Sequence, residues 1–280
     1  MSKKIPQANT GIIGGSSTFS LQFPEDLPSF KGSILETNLI INTPYGESPP
    51  FIVFTPDKER EDNKVITCKM HGWRSGVSRG DASRQIFWVF KEAGVKNILA
   101  EGGVGAINHL LNPRDIVIPH DYIDFSLRKD VSLGGEYLLI MREALCPSLR
   151  KVFFKAADNL SSRKVFDRGI YVNTEGRHFE SPSEIDMFSH LKADVVGQSI
   201  CPEVYLSREI GACYAGLYLV VNFAEGVVKD WEHEELKDIF YNEARRIGEI
   251  LLEALSLLFK DNGLKKECNC VDLRKKTLLT

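Results

Sequence analysis

Short apolar runs alternate with helical patterns along the chain. "TGIIGG" (10–15) reads as a strand entering a glycine-rich turn. "NLIINT" (38–43) and "PFIVFT" (50–55) read as two strands around a Pro/Gly turn, a hairpin signature. "KVITCKM" (64–70) is another strand. "SRGDASRQIFWVFKEAG" (78–94) reads as a helix, with Ser78 or Asp81 to cap its start and Gly94 to end it. Ile86, Phe87, Val89 and Phe90 give that helix a buried face. "KNILAEGGVGAIN" (96–108) reads as a strand ending in a glycine loop. "DIVIPHDYID" (115–124) and "RGIYVNTEG" (168–176) are further strands.

The second half continues the alternation. "SPSEIDMFSHL" (181–191) is a short helix, with Glu184 favoured near its first turn by the helix dipole. "ADVVGQSICPEVYLSREIGA" (193–212) is a strand, a turn and a helix. "CYAGLYLVVNFAEG" (213–226) is the last long strand. From His233 to Phe259 apolar residues recur at helical spacing, which predicts one long helix with a buried stripe. Strands alternating with helices predict the α/β class: a single-domain α/β sandwich whose mixed central sheet is flanked by helices. The predicted domain covers 1–260, followed by a polar C-terminal tail over 261–280. Ligands of such sheets bind beyond strand ends.

Composition narrows the function classes. A net charge of -3 over 280 residues provides no basic field for nucleic acid or for anionic lipid. No apolar run reaches the roughly 18 residues of a membrane helix. The N-terminus has two lysines but no apolar stretch of a signal peptide. Six scattered cysteines suggest a reducing cytoplasm and mostly buried thiols. Cys268-Asn269-Cys270 is the one close pair: a small disulfide ring, half a metal site or an inert polar tail. The histidines show no zinc-binding spacing, and there is no G-x-S-x-G elbow and no cofactor fingerprint. No metal and no organic cofactor are expected.

Five short segments can carry chemistry by positioning and charge. Gly14-Gly15-Ser16-Ser17-Thr18 offers backbone N–H groups and hydroxyls to an anion, or is a tight turn. Met70-His71-Gly72-Trp73-Arg74 ends a strand with two cationic donors, and an arginine fork suits phosphate. Glu101-Gly102-Gly103-Val104-Gly105 permits close approach of a ligand, or simply turns. The segment from Thr174 to Glu180 brings an aromatic ring and acidic groups. Asn222 sits at the tip of an apolar strand. A buried amide without a partner costs a few kcal/mol, so Asn222 implies a partner or a ligand.

In order and spacing, the chain resembles the trimeric purine nucleoside phosphorylase and methylthioadenosine phosphorylase family from about Thr10 to Phe259. The residues that carry this are "GIIGGSS", "HG" at 71–72, "GVGAINHLLNPRDIVIPHDYID", "LCPSLR", "NTEGRHFESPSEI", "ADVVGQSICPEV", "VVNFAEG" and "HEE" at 233–235. The resemblance implies phosphorolysis of a purine nucleoside to free base and sugar 1-phosphate. Inorganic phosphate is then the co-substrate and purine nucleoside the other partner. It also implies a homotrimer or a hexamer.

The resemblance assigns roles to particular residues. Asparagine at the base-reading position, here Asn222, goes with 6-oxopurines such as inosine and guanosine. Glu180 would accept their N1–H. Adenosine-type members carry a serine near 180 and a second aspartate near 224; this chain has Glu180 and Ala224. Ser16, His71, Arg74, Gly103 and Ser199 are the implied phosphate contacts. Phe179 and Gln198 would line the base and ribose, and His233 would lie near the 5′ position. A residue of a neighbouring subunit, near Leu138, would close the sugar pocket.

The chain also departs from the family pattern. Met70 and Trp73 flank the "HG" where an arginine is usual, Ser75 replaces a histidine, and Glu101 places a carboxylate beside the anion loop. Arg74 would substitute through a one-residue shift. Other readings are therefore a 5′-methylthio-nucleoside phosphorylase, a nucleoside hydrolase and a non-catalytic purine-binding relative. Some thermophilic members of the family end in a similar Cys-x-Cys.

Overall fold

A computed structural model describes residues 4–58, 62–260 and 267–277. In chain order the strands are β1 (Thr10–Ile13), β2 (Ser33–Leu39), β3 (Asn42–Thr43), β4 (Gly46–Glu47), β5 (Phe51–Thr55), β6 (Val65–Cys68) and β7 (Asn97–Ala106). They continue as β8 (Ile116–Val117), β9 (Asp121–Asp124), β10 (Tyr137–Leu139), β11 (Val165–Phe166), β12 (Ile170–Asn173), β13 (Val195–Gly197), β14 (Cys213–Phe223) and β15 (Arg274–Lys276). The helices are α1 (Arg79–Ala93), α2 (Pro147–Leu160), α3 (Pro182–His190), α4 (Ile200–Ile210) and α5 (His233–Lys260).

Eleven strands form one mixed sheet, with the path β11-β8-β14-β7-β1-β6-β5-β2 and β9, β12 and β13 attached beside it. The centre is parallel: β14 on β7, β7 on β1, β1 on β6. The flanks turn antiparallel at β5–β6 and β14–β8. The predicted α/β sandwich is therefore the observed one.

The pleat explains the layers. Along β14, Tyr214, Tyr218 and Val220 join the core that α1 and α4 cover with Ile86, Phe87, Phe90 and Val204. Cys213, Ala215, Leu217, Leu219 and Val221 join the core under α2 and α5, with Val152, Phe153, Ile247, Leu251 and Leu255. Side chains that alternate between two apolar faces make a strand buried on both sides, and all eleven residues of β14 are buried.

Local sequence sets the helix ends. Ser78 caps α1 by accepting from the Asp81 amide, and Gly94 closes it at φ 79°. Ser181 and Glu184 form a capping box at α3.

Several elements differ from the sequence reading. The predicted hairpin exists as β2 against β5, but β2 begins at Ser33, and β3 with β4 make a separate small ribbon at its tip. The glycines of 102–105 lie within β7 rather than in a loop after it. The 115–124 run is split by Pro119 into β8 and β9.

The tail is not a free polar extension. Of its residues, 261–266 and 278–280 lie outside the described ones. Within 267–277, Cys270 and Leu273 are buried. β15 pairs antiparallel with β10, and Glu267 pairs with Lys151 at 2.8 Å.

Candidate active site

Three strand ends of the sheet, the β1 loop, the β6 turn and the tip of β14, converge on one half-open cavity. Nine of the eleven expected site residues line it: Ser16, His71, Gly103, Phe179, Glu180, Gln198, Ser199, Asn222 and Ala224.

Asn222 reaches the cavity because β14 bulges. Its partner register with β7 runs Val220 to Val104 and then Asn222 to Gly105, leaving Val221 without a partner. A bulge of this kind re-aims the next side chain. The Asn222 amide nitrogen donates to the Phe223 carbonyl at 2.7 Å. Its Oδ1 is buried with no hydrogen-bond partner among the described residues. Because the carbonyl can only accept, the nitrogen must face it, which fixes Oδ1 as the atom left over.

Glu180 is 6% exposed, and its Oε1 accepts from the Thr174 hydroxyl at 2.5 Å. Phe179 is half exposed and packs edge-on against Trp231, ring centroids 5.0 Å apart. Gln198 donates to the His178 carbonyl at 3.1 Å.

His71 sits in an unusual turn. Met70, His71 and Gly72 all have positive φ, between 51° and 68°. For the two non-glycine residues this conformation costs about 1–2 kcal/mol each, and such strain concentrates at functional sites. The turn is held by the His71 amide on the Gly14 carbonyl at 2.9 Å. Buried Glu203 anchors the imidazole, with Oε1 2.7 Å from Nδ1, and takes the Tyr214 hydroxyl at 2.8 Å on its other oxygen. With Nδ1 bound, Nε2 is the nitrogen facing the β1 loop. A Cβ on Gly15 would stand 2.6 Å from it, so that position needs glycine.

Glu101 explains how the β1 loop is shaped. It is fully buried and accepts from the Gly15 amide, the Ser17 amide at 3.2 Å and the Thr18 hydroxyl at 2.6 Å. Burial pushes its pKa up from the ordinary 4.5, against the lowering by these hydrogen bonds and by His71. Two loop amides therefore point inward. Ser16 remains on the cavity side, and its Oγ accepts from the Gly103 amide at 2.9 Å. That leaves the Ser16 hydroxyl proton free to donate. Across the cavity the Ser199 Oγ lies 3.4 Å from the Tyr171 hydroxyl.

Two expected residues are not at the site. Arg74 donates to the Gly72 and Glu47 carbonyls and to Gln85. It lines a neighbouring hollow instead, because the left-handed turn swings the chain away after Gly72. His233 opens α5 exposed to solvent; Leu236 and Phe240 of the same helix line the cavity in its place.

Sequence reasoning missed Arg79. Its guanidinium lies 4.0 Å over the Trp73 ring and donates to Gln198 Oε1 at 3.2 Å; Trp73 and Gln198 both line the cavity. Burial lowers its pKa, as do Arg128 and Arg177 nearby, while Glu175 raises it. The only sequence signal was a basic residue at the first helical position of α1.

Among the described residues, one group of thiols that could hold a metal ion lies away from the cavity. The sulfurs of Cys146, Cys213, Cys268 and Cys270 all lie within 4.8 Å of one another, far from this cavity in sequence and at the other end of β14. The spacing rules could not find them, because they come from three separate segments.

No described helix is long and apolar enough to cross a membrane. Among solved structures, a methylthioadenosine phosphorylase from an antarctic soil metagenomic library superposes with a TM-score of 0.76, covering 91% of this chain and 87% of that one at 24% identity. The likeness speaks for the fold. Among curated proteins, the 6-oxopurine nucleoside phosphorylase of Pyrococcus furiosus is 32% identical over 94% of this chain and 97% of its own length. A probable S-methyl-5′-thioinosine phosphorylase of Methanopyrus kandleri is 35% identical over 78% of this chain and 79% of its own. The S-methyl-5′-thioadenosine phosphorylase of Pyrococcus horikoshii is 28% identical over 95% and 97%. A family profile, the phosphorylase superfamily, matches residues 11–256. With these relatives and this profile, the chain belongs to the phosphorylase superfamily.

Proposed function

We propose that the chain cleaves the N-glycosidic bond of a 6-oxopurine nucleoside with inorganic phosphate, giving the free base and a sugar 1-phosphate. The observation that carries the reading is Asn222: a buried, unpartnered Oδ1 in a cavity that also takes Glu180. Oδ1 can accept only from a donor. N7 of a purine nucleoside carries no hydrogen, so it takes a proton from solvent as the bond breaks; Oδ1 then accepts the N7–H, and the base leaves neutral rather than as an anion. Glu180 can accept the N1–H that hypoxanthine and guanine carry and adenine lacks. A site left unpaired by the wrong base can reject it by about 10⁴.

At the other end of the bond, phosphate would take the Ser16 and Ser199 hydroxyls and His71 Nε2, with Arg79, held against Trp73 and Gln198 of the lining, as the candidate guanidinium. Phosphate attacks C1′ as the bond to the base breaks, and the electron pair leaves with the purine. Ala224 fits the same base preference, and the names of the Pyrococcus furiosus and Methanopyrus kandleri relatives both carry a 6-oxopurine.

A second reading concerns the sugar. His233 stands outside the cavity, and Leu236 and Phe240 line it. An apolar wall without the histidine favours a 5′-methylthio group over a 5′-hydroxyl. The test is release of hypoxanthine from inosine and from 5′-methylthioinosine, each with and without phosphate. Phosphate-dependent release from either supports the proposal, and their kcat/KM ratio decides the sugar. Release without phosphate, or faster cleavage of adenosine, overturns it.

A further inference from the structure

We propose that Cys146, Cys213, Cys268 and Cys270 bind one soft divalent metal ion, zinc by preference, through four thiolates. Every pair of these sulfurs lies within 4.8 Å, and those of Cys213 and Cys268 are 3.5 Å apart. Sulfurs set tetrahedrally at the usual Zn–S distance of about 2.3 Å stand about 3.8 Å from each other. The observed sulfur separations, 3.5 Å for the Cys213–Cys268 pair and none above 4.8 Å, bracket that value. All four cysteines are free, and the four-way convergence singles out no two pairs for disulfides.

The surroundings fit a charged cluster. Four thiolates around a divalent ion carry a net charge of about −2, the four thiol protons leaving to solvent on binding. Arg208 is 2% exposed. It donates to the Cys270 carbonyl at 3.0 Å and to the Glu143 carbonyl at 2.9 Å. Among the described residues these carbonyls are its hydrogen-bond partners, and a buried guanidinium on neutral groups is costly; a dianionic cluster beside it supplies counter-charge and is oriented by it.

Four protein ligands close the coordination sphere, which makes the site structural rather than catalytic. Its ligands join the start of α2, the start of β14 and the C-terminal segment. The ion thus fastens residues 267–277 to the domain. Cys213 and Asn222 are nine residues apart on one strand, about 30 Å, so the ion takes no part in the cavity's chemistry.

The experiment is metal analysis of the full chain, expressed with zinc and purified under reducing conditions without chelator. About one zinc per chain is expected. The Cys268→Ser/Cys270→Ser variant should hold about none, while Cys68→Ala, outside the cluster, should keep it. A metal-free chain with four titratable thiols or two disulfides by intact mass overturns the proposal, as does zinc retained by the double variant. Cobalt(II) loaded into the unaltered chain provides a readout independent of how the variants fold. Intense thiolate-to-cobalt absorption with tetrahedral bands is expected, and the weak spectrum of octahedral cobalt overturns the assignment.

Discussion

Replacing Asn222 by alanine separates function from fold at this site. In the folded chain the side chain makes one hydrogen bond, from Nδ2 to the Phe223 carbonyl at 2.7 Å. Losing it costs about 1 kcal/mol. Its Oδ1 is buried without a partner, a standing cost of about 1–3 kcal/mol that the substitution removes. Three heavy atoms also leave, but at the wall of an open cavity, where neighbours and water refill the space. The opposing effects leave stability within about 1 kcal/mol of the unaltered chain, roughly 2–4 °C in Tm. Catalysis should respond very differently. Removing a donor or acceptor aimed at developing charge lowers kcat by about 10²–10³. The assay is phosphorolysis of inosine, read as hypoxanthine release, beside urea unfolding of the same preparation. Wild-type kcat/KM in the variant refutes the base-reading role. A stability loss above about 3 kcal/mol refutes the claim that Oδ1 is held at a cost for a ligand.

Further outcomes follow from the same geometry. Asn222→Asp should shift preference toward 6-aminopurines, and unchanged inosine and adenosine rates would contradict the assignment. Glu180→Ala should lower kcat/KM for inosine by about 10²-fold or more while the fold persists, as read by circular dichroism. Arg79→Ala should raise the KM for phosphate several-fold, whereas Arg74→Ala should leave it unchanged, because Arg74 is tied to carbonyls and Gln85 outside the cavity; equal effects would refute the placement. Glu203→Gln should cost about 10²-fold in kcat/KM by releasing the His71 ring, with little change in the affinity for free base. Glu101 has a pKa raised by burial, so its stabilising contribution is complete below the unfolded value and is lost as pH rises through the folded one. The stability of Glu101→Gln relative to the unaltered chain should therefore climb as pH rises above about 4.5, and parallel curves from urea unfolding would refute this.

The legible parts of the chain were those where one face is set by local sequence. The α1 apolar stripe, its Ser78 cap and Gly94 stop, and the long α5 repeat needed no tertiary knowledge. So did the placing of Asn222 at a strand end, although not the Val221 bulge that aims it. What stayed hidden depends on chain direction or on distant segments. Arg74 lies three residues from His71, yet three consecutive positive φ angles send it to another face. The α2 helix went unread in the sequence; its Pro147 stands at the first helical position, where proline is well tolerated. Of the four cysteines only Cys268 and Cys270 stand close in sequence; Cys146 and Cys213 join them because β14, α2 and the C-terminal segment meet only once the sheet has formed.

Glu101 makes the case that the β1 loop is adapted rather than eroded. An ionised carboxylate behind an anion site would repel phosphate, and in a poorly solvated position that repulsion is large. Burial raises the pKa of this group, which favours its neutral form and weakens the repulsion. Its oxygens meanwhile hold Gly15, Ser17 and Thr18 in place, so the loop is ordered before any ligand arrives. The Ser16 Oγ is already committed as an acceptor from Gly103, which turns its hydroxyl outward as a donor. On the proposed function the loop then contributes one fixed hydroxyl donor, Ser16, in place of an arginine, and less charge has to be desolvated on binding. On this logic phosphate affinity weakens as pH rises through the folded value of Glu101, beyond the change due to phosphate itself. That added dependence disappears in Glu101→Gln, and KM for phosphate measured across pH in both proteins decides it: identical profiles mean that Glu101 only braces the loop.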